Sequence, residues 1–107
     1  MTDHILVVTT FSKRDEAEAA AAELVDRGLV ACAQVAGPIL SVYRWQGKTE
    51  RNEEAVLTLK TRSDRFEAVE EALLELHSYE TPEIIALPII AGHTAYLNWI
   101  DQHVQPA

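Results

Sequence analysis

The sequence predicts an α+β fold in which four strands and two helices follow one another as β-α-β-β-α-β, with one more helix near the carboxyl end. Short apolar or alternating runs typical of strands are separated by two stretches whose apolar residues recur at helical spacing. Gly28, Gly47 and Pro82 mark three of the boundaries. With right-handed crossovers, this order forms a ferredoxin-like split βαβ arrangement, an antiparallel sheet with two helices on one face.

The first strand and helix are indicated by a change in hydrophobic pattern. Ile5–Val8 is a continuous apolar run, which predicts a strand covered on both faces. Ser12 then precedes an alanine-rich stretch and is expected to cap the helix that begins there. Gly28 is suited to the end of that helix, because glycine readily adopts the left-handed conformation found there.

A long hairpin is predicted for the middle of the chain. An apolar run, Leu29–Val35, is interrupted at Gly37-Pro38 and resumes over Ile39–Trp45. The stretch Arg51–Thr61 alternates between apolar and polar residues, as the returning strand would. Both strands exceed the usual five or six residues.

The turn of this hairpin sets the register of the two strands. Gln46-Gly47-Lys48 is typical of a tight turn, with Gly47 supplying a positive φ. A two-residue loop at Gly47 and Lys48 predicts which residues face each other. The expected pairs are Trp45 with Glu50 and Val35 with Lys60.

The last third of the chain predicts a helix, an edge strand and a final helix. Ser63 or Asp64 is expected to cap the first of these helices, and Pro82 follows its end. The apolar run Ile84–Ile90 predicts the fourth strand, in which Pro88 favours an edge position. Thr94 is expected to cap the short last helix.

The length, charge and cysteine content restrict the class of protein. The 107 residues suit a single domain spanning positions 1–107. A net charge of −8 argues against nucleic acid and against an anionic membrane surface as partners. The amino terminus lacks the basic start and apolar run of a signal peptide, no stretch is long enough to span a membrane, and Cys32 has no partner for an internal disulfide. We therefore expect a cytoplasmic protein.

Strong catalytic motifs are absent from the sequence, which contains no phosphate-binding glycine loop, GxSxG elbow or HExxH stretch. The richest polar cluster is His77–Glu83, where His77 is either a helix-end residue or part of a site. Cys32 lies among small apolar residues without a neighbouring base or cation, which favours a buried thiol over a nucleophile or metal ligand. Trp45 would be exposed in a monomer, which indicates an interface.

Five runs, in order over nearly the whole chain, together form a recognisable pattern. They are Leu29–Val35, Ser41–Lys48, Leu59–Thr61, Leu76–Pro88 and Tyr96–Ile100. This pattern resembles the CutA divalent-cation tolerance family. The resemblance implies a ferredoxin-like fold, a compact and very stable homotrimer, and an architecture similar to that of PII signalling proteins. It also implies a role in the tolerance of divalent metal ions, copper in particular.

The resemblance carries over to a metal site only in part. The copper ligands proposed for the family include a cysteine on the first strand and a histidine pair. Here Thr9 and Leu76-His77 stand at those positions, so only His77 matches. Cu(I) prefers soft sulfur ligands and Cu(II) prefers several nitrogens, so one imidazole with oxygens makes a weak site. We expect at most weak binding of a divalent metal such as copper at His77, with Cys32 as a poorer candidate ligand.

Three functions of different classes remain open. The first is a trimeric CutA-like binding or signalling protein in metal homeostasis. The second is a PII-like sensor of a small anionic ligand at the clefts between subunits. The third is an enzyme with an inter-subunit site, in which His77 acts as acid or base and Glu83 orients it. For this third function, the sequence shows no recognisable nucleophile and no set of oxyanion donors.

The long hairpin and the uncovered sheet face predict a functional cleft between subunits. On the expected register, Trp45 and Lys60 lie roughly 33 Å apart along one sheet, so only a neighbouring chain could bring them together. Such a pocket would suit a small anionic or amphipathic ligand, and the alternative is a purely adhesive interface. Tyr43 and Trp45 of one chain are expected to approach Lys60, His77, Tyr79 and Glu83 of the next.

Overall fold

The computed structural model describes residues 3–107, and its elements follow the predicted order. The strands are β1 (His4–Phe11), β2 (Cys32–Trp45), β3 (Lys48–Arg62) and β4 (Ile84–Pro88). The helices are α1 (Arg14–Asp26), α2 (Phe66–Leu76) and α3 (Thr94–His103). The predicted α+β fold is confirmed.

The sheet has the strand order β2-β3-β1-β4, and every neighbouring pair is antiparallel. Strands β1 and β3 are central, whereas β2 and β4 form the two edges. The edge position of β4 explains how it tolerates Pro88, which has no N–H to donate to a neighbouring strand. The strand ends at Pro88 rather than at the predicted Ile90, and the Ile89 N–H continues the ladder to the carbonyl of His4 at 3.0 Å.

One face of the sheet is covered by α1 and α2 and holds the core. Alternate residues of β1 and β3 point to this face because the side chains of a strand alternate between its two sides. Three alanine or leucine positions of α1 (Ala17, Ala20, Leu24) and three apolar positions of α2 (Val69, Ala72, Leu73) are buried against them. The buried strand residues of the core are Ile5, Val7, Phe11, Ala55, Leu57 and Leu59.

The opposite face is covered at one end only, by α3. Ile100 of this helix is fully buried and packs with Ala31 and Val104. The Asp101 carboxylate lies 2.9 Å from the His4 imidazole and 3.9 Å from the Arg62 guanidinium, which ties the helix to β1 and β3. Beyond α3, Ile85 and Leu87 of β4, which pair with Val8 and Leu6 on this face, are 49% and 43% exposed in a single chain.

The three predicted helix caps are wrong, each for a local reason. The Ser12 hydroxyl donates to the Glu16 carboxylate at 3.1 Å, and Lys13 takes the N-cap position without a side-chain cap. Ser63 and Asp64, the residues predicted to cap α2, lie in a 3₁₀ turn over Ser63–Arg65. Arg65 takes the N-cap position of α2 instead. In α3, the backbone carbonyl of His93 accepts the first helical hydrogen bonds, so Thr94 is already inside the helix.

The predicted hairpin register is also wrong. The turn residues are Gln46 and Gly47, both with positive φ (49° and 77°), as a two-residue type I′ turn requires. Trp45 therefore pairs with Lys48 and not with Glu50. A bulge between Ala36 and Ile39, at the glycine and proline that interrupt the strand, shifts the pairing again. As a result, Lys60 pairs with Cys32 rather than with Val35.

Candidate functional site

A concave groove lies beside the free end of the β2–β3 hairpin. Strand β1 ends at Phe11, opposite Ala55, so residues 48–54 of β3 continue beyond it and pair only with β2. The segment between α2 and β4, residues 78–83, faces this extension. Together they enclose an open space of about 970 Å³, which we call the hairpin groove.

The hairpin wall of the groove is built by cross-strand partners that share one face. Tyr43 of β2 pairs with Glu50 of β3, and Ser41 pairs with Asn52. The side-chain amide of Asn52 also donates to the Tyr43 hydroxyl. Trp45 extends the same face toward the turn, and 58% of its surface is exposed. The in-register type I′ turn thus places two aromatic rings in a row, two residues apart.

The opposite wall is held against the hairpin by a tyrosine. The Tyr79 hydroxyl donates to the Glu54 carboxylate at 2.6 Å. Partial burial, followed by the hydrogen bond to Glu54, raises the pKa of the Tyr79 hydroxyl above its ordinary value. The hydroxyl therefore stays protonated and keeps its role as donor. A second link is the Ser78 hydroxyl, which donates to Glu16 on α1 at 2.9 Å.

His77 lies behind the groove wall rather than in its lining. Its ring stacks on Phe11 with 4.1 Å between ring centroids and an interplanar angle of 6°. The Nε2 atom lies 3.0 Å from the Thr9 hydroxyl, and the Tyr79 ring is 5.0 Å away. Glu83, the residue expected to orient this imidazole, lines the groove instead. The hydrogen-bond partner of His77 is therefore a threonine rather than a carboxylate.

Burial governs the protonation of His77. The ring is half-buried, and its Nδ1 atom is enclosed without a hydrogen-bond partner among the described residues. Burial disfavours the charged ring and lowers its pKa, although the backbone of Thr10 and the carboxylates of Glu16 and Glu54 act in the opposite direction. We conclude that the neutral imidazole is the form that suits this environment.

The predicted site residues separate into two regions of the chain. Tyr43, Trp45, Tyr79 and Glu83 line the hairpin groove within one chain. Lys60 lies elsewhere, where its ammonium group donates to Gln34 at 2.9 Å and sits 5.6 Å from the centre of the Tyr96 ring.

Several groove residues were not predicted from the sequence. Glu50, Asn52 and Glu54 occupy alternate positions of β3 and share the face that carries Tyr43. The alternation of the strand could have assigned them to one face. The alternation does not show that these residues approach the segment 78–83. That contact joins distant parts of the chain, since Tyr79 and Glu54 are 25 positions apart.

The described residues contain no group of three or more histidine, cysteine, aspartate or glutamate side chains arranged to hold a metal ion. Thr9 and His77, which stand at positions of the copper ligands proposed for the CutA family, are adjacent. Cys32 lies on β2 opposite Lys60, whose other neighbour is Leu6 on β1. Cys32, Lys60 and Leu6 lie on one face of the sheet, and Thr9 lies on the other. Cys32 and His77 therefore do not converge on one site.

Comparison with known proteins agrees with this geometry. Residues 5–103 match the CutA1 divalent ion tolerance protein family. The chain belongs to this family. It is 36% identical to the divalent-cation tolerance protein CutA of Thermus thermophilus, over 92% of this chain and 95% of the relative. The corresponding protein of Archaeoglobus fulgidus is 38% identical, over 95% and 99% of the two chains.

The fold of a solved CutA1 structure coincides with the one described here. The crystal structure of CutA1 from Oryza sativa superposes with a TM-score of 0.96 at 32% identity and covers 99% of this chain and 97% of its own. CutA relatives differ in their stated compartment. A protein from Arabidopsis thaliana is described as chloroplastic and the A. fulgidus structure as periplasmic. No helix among residues 3–107 of this CutA chain is long and apolar enough to cross a membrane.

The lowered pKa of His77 predicts a pH-dependent stability. As pH falls below about 6.5, the unfolded chain binds a proton at this ring while the folded chain resists it. The free energy of unfolding should therefore decrease as pH falls from 7.5 through 6.5 to the folded pKa. Urea denaturation across pH 7.5 to 5 measures this decrease, and His77→Gln should flatten it.

His103→Gln is the matched control, because His103 is an exposed residue on α3. This variant should retain the pH dependence of the wild type. An unchanged pH dependence in His77→Gln would show that burial of this ring is not its cause.

Proposed function

We propose that the chain is a homotrimeric, non-catalytic binding protein that contributes to tolerance of divalent cations, copper among them. Its membership in the CutA family supports the role in divalent-cation tolerance. The surroundings of His77 favour binding over catalysis, because its partners are the Thr9 hydroxyl and aromatic rings. The hydroxyl that contacts this imidazole belongs to Thr9, which is fully buried and therefore out of reach of a substrate.

The observation that carries the trimer is the apolar character of both sheet edges. Leu40 and Val42 on β2 are more than half exposed. On β4, Ile85 and Leu87 are 49% and 43% exposed. Because β2 and β4 lie at opposite edges, one copy's β2 can meet the β4 side of the next, and such head-to-tail contacts close into a ring.

The dimensions of the single chain support an assembly. Its accessible surface is 6750 Å², whereas a monomeric protein of 11.9 kDa is expected to expose roughly 6000 Å². Its radius of gyration is 14.4 Å, compared with about 13 Å for a compact domain of this length. The projecting hairpin contributes to this excess, and its exposed residues Leu40 and Val42 are the ones that we propose contact another chain.

Light scattering tests the trimer. At micromolar concentration we expect a mass three times that of one chain. Leu87→Lys should lower this mass, because it places a charge on the apolar edge. Leu74→Lys is the matched control, since Leu74 is a similarly exposed leucine (54%) on α2 rather than on a sheet edge. A monomer mass for the wild type would contradict the proposal.

Copper binding is proposed to be weak and to depend on His77. The Thr9 hydroxyl beside the imidazole is a hard oxygen, which adds little affinity for copper. The enclosed Nδ1 atom also makes access costly. This chain would therefore contribute to copper tolerance without a tight site of its own at this position.

Calorimetric titration with Cu(II) tests this expectation. The wild type should bind weakly and non-stoichiometrically, and His77→Ala should remove most of the heat while His103→Ala retains it. One tight site per chain that survives His77→Ala would contradict the proposal.

The hairpin groove is proposed as the ligand-binding region of each subunit. Tyr43, Trp45, Tyr79 and Glu83 support this role, because they line one open space. The PII-like alternative, a sensor of a small anion, depended on a cation beside these aromatic rings. Within one chain Lys60 is engaged elsewhere, with Gln34 and Tyr96, so Lys60 could supply this cation only from a neighbouring subunit.

The compartment is part of the proposal as well. The composition of the chain leads to the expectation of a cytoplasmic location, whereas the relatives described above include chloroplastic and periplasmic proteins. Family membership is therefore compatible with more than one compartment. We retain the cytoplasm as the proposed location.

A further inference from the structure

The hairpin groove combines aromatic rings with negative charge. Its rings are Tyr43, Trp45 and Tyr79, and 42% of Tyr43 and 58% of Trp45 are exposed. No lysine or arginine belongs to its lining among the described residues. The carboxylates that line it are Glu50, Glu54, Glu80 and Glu83. A groove of this composition attracts cations, and the net charge of −8 adds to the attraction.

The negative charge is spread along the groove rather than focused at a point. Glu50 and Glu54 lie on the same face of β3, four residues apart, which corresponds to about 13 Å. No group of acidic or histidine side chains in residues 3–107 converges to hold a metal ion. A compact ion can satisfy only one end of such a groove. A long ligand with separated positive charges can satisfy both ends.

The aromatic wall suits the apolar parts of the same ligand. Ring faces attract ammonium groups, and tryptophan does so most strongly. Methylene groups between the charges can cover the exposed surface of Tyr43 and Trp45. Glu54 accepts a hydrogen bond from Tyr79, and a carboxylate can accept further bonds, so this residue can hold the wall and an ammonium group together.

We infer that the hairpin groove binds linear aliphatic polyamines, ligands that carry two or more ammonium groups on a methylene chain. This inference rests on the proposed use of the groove as a binding region. It does not rest on the trimer, because every residue that carries it belongs to one chain.

Titration with spermidine tests the inference. The fluorescence of Trp45 reports binding in a Trp99→Phe background, since the chain has only two tryptophans. We expect a saturable change that weakens as ionic strength rises. Two probes serve as controls: 1,8-octanediol, which has the methylene chain without the charges, and MgCl₂ at equal ionic strength, which has the charge without the chain. Neither should reproduce the change.

Two matched variants locate the site by calorimetry. Glu54→Gln should weaken spermidine binding by roughly three- to fivefold, the effect of one lost exposed charge pair. Glu53→Gln removes the same charge from the preceding residue. Glu53 pairs with Leu40 on the other face of the strand and does not line the groove. This variant should change the affinity by less than about twofold.

Four results would overturn the inference. They are an equal response to octanediol, an equal response to MgCl₂, equal effects of the two glutamate variants, and no spermidine binding. If a second copy of the chain occupied the groove, Glu54→Gln would change the mass in light scattering and leave no saturable spermidine signal. A monomer mass together with groove-dependent spermidine binding would reject the trimer alone.

Discussion

The organisation of this molecule depends on the mismatch in length between the β2–β3 hairpin and the rest of the sheet. Strand β1 has 8 residues and β4 has 5, whereas β2 and β3 have 14 and 15. Helices α1 and α2 pack on the part of the sheet that contains β1, so the far end of the hairpin has no helix or central strand to cover it. The exposed aromatic residues, the hairpin groove and the apolar edge of β2 all follow from this overhang.

The groove keeps its form because polar contacts link its second wall to the hairpin and to α1. The bond from Tyr79 to Glu54 joins the segment after α2 to the hairpin, and the bond from Ser78 to Glu16 joins it to α1. His77 supports the same segment from behind by stacking on Phe11 and meeting Thr9. The residue that the CutA resemblance suggests as a copper ligand therefore has a structural role here, as a ring packed between the core and the groove wall.

The element order and the strand positions could be predicted from hydrophobic pattern, because burial on one face imposes a period that a sequence displays. The register could not. It depends on whether Gln46 or Lys48 joins Gly47 in the turn and on the residue added at the Gly37-Pro38 bulge, and either choice moves every pair. The aromatic part of the site could be identified from the sequence, through Tyr43 and Trp45. Glu54 was missed because its partner Tyr79 is brought to it only by tertiary packing.

The central claim is that the hairpin groove is complete within one chain, even if three chains assemble. Isotope-filtered nuclear Overhauser spectra of a mixture of labelled and unlabelled chains test this directly. The account predicts contacts between the Tyr79 ring and the Glu54 side chain within labelled chains, at full intensity and independent of mixing. Contacts between these residues that arise only between labelled and unlabelled chains would contradict it.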